Sequence, residues 1–298
     1  PQVCQPPLHA LLAVPPVELR EADLRLVWIS HIHADHHAGL PSVLAARQQV
    51  LGEGCPPMVV VGPRPLQYFM RRWAQMQPLQ YRFVDARETA EGGMQARAGR
   101  FIGNAAHAGR GVVDMALSAM RPPDPANKEA VDAAAAALGL EELQSVEVVH
   151  CAHSFALKVR HAAGWSLVYS GDTRPCKRLS DAARDATVLI HEATFDDGML
   201  EEATAKKHSM TKEAVQIGED AGVYRTILTH FSQRYPKIPV IEEISAPRVG
   251  IAFDLMSVNF ADLPELPHLL PALQVMFADE NLAAEAETDE TTLFSAEP

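Results

Sequence analysis

The chain has 298 residues, of which 47% are hydrophobic and 21% charged, with a formal net charge of −12. That balance describes an ordinary soluble globular protein, long enough for one large domain or two small ones. No apolar run reaches bilayer-spanning length, and the surplus of carboxylates weighs against general nucleic-acid binding, because phosphate contacts need Lys and Arg.

The first residue is Pro1, so the true N-terminus is expected elsewhere and targeting is undecided. Residues 1–23 are Pro-rich, with breakers at Pro6-Pro7 and Pro15-Pro16. Leu24–Ile29 reads as a buried strand. Directly behind it stands His31-Ile-His33-Ala-Asp35-His36-His37. Imidazole and carboxylate are the donors that zinc and similar divalent ions prefer. In extended backbone His31 and His33 point the same way, while Asp35 and His36 turn the other way as a helix begins, so one segment can serve two metals.

Residues 40–51 read as a helix, Met58–Gly62 as a short buried strand and Leu66–Gln75 as a helix. This alternation indicates an α/β layered fold. Between residues 88 and 144 the pattern weakens. Arg121-Pro-Pro-Asp-Pro125 and the run Ala133–Ala137 suggest an inserted surface loop with one Ala-rich helix. Strands are expected again at 146–150, 156–160, 166–169, 187–190 and 226–228, with a helix at 212–222. The segment 279–298 is rich in Glu and Asp without one Lys or Arg, the pattern of a disordered acidic tail. Cys4, Cys55, Cys151 and Cys176 lie far apart without a C-x-x-C pair, which favours neither a disulfide framework nor a thiolate metal site, and makes a reducing compartment the default.

Four later segments carry chemistry: His150-Cys-Ala-His153-Ser-Phe155, Tyr169-Ser-Gly-Asp172-Thr173, His191-Glu192-Ala-Thr194 and His208-Ser-Met-Thr211, followed by His230-Phe-Ser-Gln-Arg234-Tyr235. Together with the first histidine run they resemble the metallo-β-lactamase-fold hydrolases and, within them, the catalytic half of long-form tRNase Z, which removes the 3′ trailer from precursor tRNA. The resemblance covers most of residues 24–262 in scattered blocks, within a catalytic domain expected over 24–278. It implies a metallo-β-lactamase-like αββα sandwich, with the family's first strands lacking in residues 1–23.

The resemblance also implies a ligand set. His31, His33 and His150 would hold one zinc ion; Asp35, His36 and His230 would hold a second; Asp172 would bridge both. Two Zn²⁺ per chain are expected, with Mn²⁺ or Fe²⁺ as the alternatives. His153 is close enough in sequence to compete with His150. Glu192 and His208 resemble the pair that protonates the leaving group, and Asp35 is expected to double as proton acceptor from the attacking water. A surface histidine at a charged helix end is the plain alternative for His208, and His191 would be structural. Arg234 and Lys237 could touch RNA phosphates or simply line a solvated loop. His9, His37, His107, His161 and His268 read as ordinary surface or core residues.

Implied partners are precursor tRNA and no membrane, with a homodimer or a missing amino-terminal half completing the RNA grip. An intracellular location, in nucleus or mitochondrion, is implied as well. Two rival readings stay open: another hydrolase of the superfamily, thioesterase- or arylsulfatase-like, and an inactive partial chain.

Overall fold

The computed structural model describes residues 21–52, 54–90, 124–232, 246–253 and 256–276. The Pro-rich segment up to residue 20, the stretch 91–123 of the expected insertion, the acidic tail, His9, His107, Arg234 and Lys237 lie outside the described residues. The region expected as one catalytic domain divides into two compact units, with the boundary between Glu147 and Val148.

In the first unit three parallel strands form a sheet in the order β1 (Leu26–Trp28), β2 (Met58–Gly62), β3 (Tyr81–Asp85). The run Met-Val-Val-Val explains the central place of β2. A parallel strand covered on both faces needs a continuous apolar run, and every residue of β2 is buried. The first strand is shorter than expected and only half-buried.

Two helices precede β2, the single turn α1 (Ala34–His37) and α2 (Leu40–Leu51); α3 (Arg64–Ala74) follows it. Pro41 and Pro65 occupy first-turn positions, where a missing N–H costs nothing. Leu40, Leu44, Met58, Val60, Leu66 and Met70 make the core between these helices and the sheet.

The Ala-rich helix, α4 (Pro125–Ala137), exists but differs from the expected surface loop. Asp124 caps it through Ala126 N–H at 3.0 Å, and its buried Val131, Ala134 and Ala135 pack toward the three-stranded sheet. Small side chains at helical spacing allow close approach, which composition alone disguises as low complexity. Strand β4 (Leu140–Glu147) starts earlier and ends earlier than expected. Its buried Ser145 accepts from Trp28 Nε1 at 2.9 Å and meets Thr89 Oγ1 at 2.7 Å, tying β4 to the rest of its unit.

In the second unit the sheet runs β5 (Phe155–His161), β6 (Ser166–Tyr169), β7 (Val188–Glu192), β8 (Arg225–Thr229), β9 (Val249–Ile251). The β5–β6 pair is antiparallel and the remaining pairs are parallel. Helices α5 (Lys177–Ala182), α6 (Leu200–Lys206) and α7 (Thr211–Asp220) connect the strands, and α8 (Leu266–Met276) follows β9. The parallel arrangement places the carboxyl ends of β6, β7 and β8 side by side, and Asp172, Glu192 and His230 stand at or just past those ends. No helix among the described residues is long and apolar enough to cross a membrane.

A close helix–sheet contact falls at Gly218 on α7. A Cβ there would lie 2.1 Å from Thr226 Oγ1 and 3.2 Å from Thr226 Cβ. Gly218→Ala should therefore destabilise the chain by about 1–3 kcal/mol, against the usual gain of Ala over Gly in helices. Urea unfolding checks this: the midpoint should fall with an unchanged slope, and an equal or higher midpoint would contradict the packing.

Candidate metal centre

In the first unit the chain leaves β1 and turns at once into α1, which gathers the histidines. His31 is fully buried; its Nδ1 lies 3.0 Å from Ser30 Oγ and its Nε2 lies 2.9 Å from His33 Nδ1. The His36 ring centroid is 4.2 Å from that of His31, and His36 Nε2 is 3.4 Å from Asp35 Oδ2. Asp35 itself is 72% exposed at the side chain, open to solvent. His37 has a different fate: its Nδ1 donates to the His33 carbonyl at 2.8 Å and its ring packs edge-on against Phe69. Of the two expected placements, surface or core, it takes the core.

In the second unit Gly171 takes φ 56°, the left-handed turn that sets Asp172 just beyond β6. Asp172 is 3% exposed. Its Oδ2 lies 3.8 Å from His150 Nε2 and 3.6 Å from His230 Nε2. Each imidazole is oriented from behind. His150 Nδ1 donates to the Lys207 carbonyl at 2.9 Å, and His230 Nδ1 lies 2.7 Å from Thr194 Oγ1. Anchoring Nδ1 in this way leaves the lone pair on Nε2, the side that faces Asp172. Lys207 (φ 59°) and His230 (φ 63°) hold left-handed backbone that non-glycine residues seldom adopt. Between His150 and its competitor His153, the structure brings His150 to the carboxylate.

This donor set suits a divalent ion. Ligand atoms of Asp172, His208 and His230 all lie within 4.8 Å of one another, and the donors are imidazole nitrogen and carboxylate oxygen. His208 thus sits where it could serve as a ligand or as a proton donor. Its Nδ1 donates to Glu192 Oε1 at 2.9 Å, and its ring centroid is 4.7 Å from that of His150 and 5.5 Å from that of His230. It is mostly buried, which removes the surface-histidine alternative.

Glu192 is 1% exposed and receives five hydrogen bonds. Oε1 accepts from Thr173 N–H at 2.7 Å and from His208; Oε2 accepts from Thr194 N–H at 3.2 Å, Thr194 Oγ1–H at 2.6 Å and Ser209 N–H at 3.1 Å. His191, one residue earlier, is structural. Its Nδ1 donates to the Glu192 carbonyl at 2.6 Å, and burial pushes its pKa below the usual imidazole value, so the ring is neutral.

Four contributors escaped the sequence reading. Arg174 donates to the His208 carbonyl at 2.8 Å and pairs with Glu213, which also caps α7 through Met210 N–H. Ser209 Oγ donates to the Thr173 carbonyl at 2.6 Å. Arg174 and Glu213 are 39 residues apart and carry no local signal, whereas Thr194 and Ser209 sit inside the runs already singled out.

A parallel-stranded frame with histidine and aspartate at its strand ends is the arrangement of the metallo-β-lactamase fold, and solved structures agree. The chain superposes on the metallo-beta-lactamase fold protein YhfI from Bacillus subtilis with TM-score 0.51 at 16% identity, covering 79% of this chain and 78% of that one. It superposes on a long form RNase Z from yeast with TM-score 0.70 at 25% identity, covering 89% of this chain and 36% of that one. The fold is therefore the metallo-β-lactamase fold.

Among curated proteins, the mitochondrial tRNase Z TRZ3 of Arabidopsis thaliana is 43% identical over 287 residues, 89% of this chain and 32% of its own length. The human zinc phosphodiesterase ELAC protein 2 is 36% identical over 263 residues, 86% of this chain and 29% of its own length. The resemblance to tRNase Z read from the motifs is thus borne out. The chain spans about a third of the length of the curated relatives it matches. No family model matches it.

Glu192→Gln would turn an amide N–H₂ toward donors that need an acceptor. Since hydrogen bonds to a buried charge contribute about 1.5–3 kcal/mol each and several would be lost or strained, the variant should be less stable by about 2–4 kcal/mol. Chemical denaturation measures this directly. An unchanged midpoint would mean that the carboxylate does not organise the site.

Proposed function

We propose that this chain is the catalytic part of a zinc-dependent endoribonuclease that removes the 3′ trailer from precursor tRNA. The observation that carries the reading is the set around Asp172: one buried carboxylate oxygen within 4 Å of two imidazole nitrogens, His150 Nε2 and His230 Nε2, beside the hydrogen-bonded pair Glu192–His208. The named relatives, a tRNase Z and a zinc phosphodiesterase, supply the substrate class and the metal.

His31, His33 and His150 would take one zinc ion, Asp35, His36 and His230 a second, and Asp172 would bridge. Zinc supplies a coordinated water of lowered pKa and positive charge for phosphate oxygens. The chain's own residues do the rest. Asp35, exposed at the start of α1, accepts the proton of the attacking water. His208 delivers a proton from Nε2 to the departing 3′ oxygen. The Glu192 carboxylate, hydrogen-bonded to Nδ1, holds that ring in orientation for the transfer. Manganese or iron would fit the same nitrogen and oxygen donors.

RNA contact has to overcome the net charge of −12, and one stretch does so locally. From Gly54 to Val84 the chain has four arginines and no carboxylate, and Arg71 and Arg72 are exposed on α3 beside exposed Tyr68. Phe69 of the same helix packs on His37, so this basic face adjoins the first histidine run. The remaining grip would come from an amino-terminal half or a second copy. The name of the Arabidopsis relative supports a mitochondrial location for this chain and gives no support to a nuclear one.

His31→Ala and Asp172→Ala should each abolish trailer removal while leaving the fold intact by circular dichroism; retained cleavage by either refutes the assignment. His208→Ala should lower turnover by about 10²–10⁴ with zinc still near two per chain, and loss of zinc would make His208 a ligand instead. Cleavage of a thioester in preference to precursor tRNA would favour the rival hydrolase reading. Arg71→Ala/Arg72→Ala should flatten the salt dependence of precursor tRNA binding by about two in log–log slope, with hydrolysis of bis(p-nitrophenyl) phosphate unchanged. An unaltered slope would remove α3 from the RNA surface.

A further inference from the structure

The hydroxyl of Thr194 stands between the carboxylate of the proton-donating pair and a metal ligand. Thr194 follows β7, and its segment is fixed to the neighbouring strand end by Ala193 N–H to Thr229 O at 2.8 Å and Ser232 N–H to Thr194 O at 3.2 Å. A hydroxyl has one proton to give and two lone pairs to offer. Its shortest contact is to Glu192 Oε2 at 2.6 Å. That oxygen already accepts the backbone N–H groups of Thr194 and Ser209, so it is an acceptor and the hydroxyl proton points there. His230 Nδ1, 2.7 Å from the same oxygen, can then only donate. A neutral imidazole protonated at Nδ1 keeps its lone pair on Nε2, the atom 3.6 Å from Asp172 Oδ2. His208 Nδ1 is 3.2 Å from Thr194 Oγ1 but 2.9 Å from Glu192 Oε1, so its hydrogen goes to the carboxylate.

We propose that Thr194 is a positioning residue that sets the tautomer of His230, linking the Glu192 carboxylate to the metal ligand through one hydroxyl. Glu192 then governs both imidazoles: His208 directly through Oε1, and His230 through Oε2 and Thr194. The general acid and the metal ligand share one carboxylate as their common reference. Any substitution that moves the Glu192 carboxylate disturbs metal retention as well as proton delivery. This rests on the reading of His230 as a zinc ligand.

The tautomer can be read without metal or substrate. In the ¹⁵N-labelled, metal-free full chain, long-range ¹H–¹⁵N correlation spectra should show the His230 proton on Nδ1. A proton on Nε2 in the unsubstituted chain overturns the proposal outright. Thr194→Val replaces the hydroxyl by a methyl group, and should give a mixed or Nε2-protonated His230 and zinc affinity weaker by about 10–100-fold, the usual effect of losing an outer-shell partner. Thr194→Ser should restore both. If Thr194→Val keeps the Nδ1 tautomer and the zinc affinity of the unsubstituted chain, by competition with a chelator, Thr194 positions nothing. His230→Ala separates the two claims: full zinc affinity in that variant removes His230 from the ligand set, while the tautomer measurement still decides the relay.

Discussion

A single buried carboxylate organises the second unit's part of the site. Taking a carboxylate out of water costs several kcal/mol unless donors replace its hydration. Glu192 meets that requirement with donors from three places: Thr173 beyond β6, Thr194 beyond β7, and His208 with Ser209 ahead of α7. Satisfying one carboxylate therefore fixes three loops against one another. The loop of Thr173 also carries Asp172, and the loop of His208 also offers the Lys207 carbonyl that orients His150. Asp172, His150, His208 and His230 are held by a network that exists before any substrate arrives. Preorganisation of this kind is what a metal-assisted hydrolysis needs, because groups aimed in advance cost no rearrangement during reaction.

The network also explains why left-handed backbone appears at Lys207 and His230. Each is strained for a residue with a Cβ, and each points a carbonyl or an imidazole where extended or helical geometry would not. At these two positions the strain sits in loops, and the strands behind them pack an apolar core, as in the cluster of Ala193, Ala214, Val215, Leu228 and Val249. Arg174 contributes from the outer side, binding the His208 carbonyl and Glu213 together and closing the amino end of α7.

How legible this was depended on the range of the interaction. His31, His33, Asp35 and His36 are visible because four donors fall within six positions, and Met58–Gly62 because a covered parallel strand must be apolar throughout. Helix α2 was placed to the residue, since Pro41 and Gly52 mark its ends. The pairing of His150 rather than His153 was not decided by spacing; it follows from a carbonyl 57 residues away, at Lys207. For the same reason the strand expected to reach His150 stops at Glu147, leaving that histidine in a turn where its ring can be caught. Helix α4 was expected on the surface because five consecutive alanines hide a period of 3.6, yet Val131, Ala134 and Ala135 are buried. The Arg174–Glu213 contact has no sequence signature, as charged residues are common and only folding brings these two together.

The proposed metal chemistry rests on nitrogen and oxygen donors; no cysteine is among the grouped donors of the described residues. X-ray absorption at the zinc edge on the metal-loaded full chain tests that most directly. Imidazole and carboxylate ligation predicts a first shell of light atoms at about 2.0–2.2 Å with imidazole multiple scattering, whereas thiolate ligation would place sulfur at about 2.3 Å. A sulfur shell, or a chain that retains no zinc to measure, would contradict the account at its foundation.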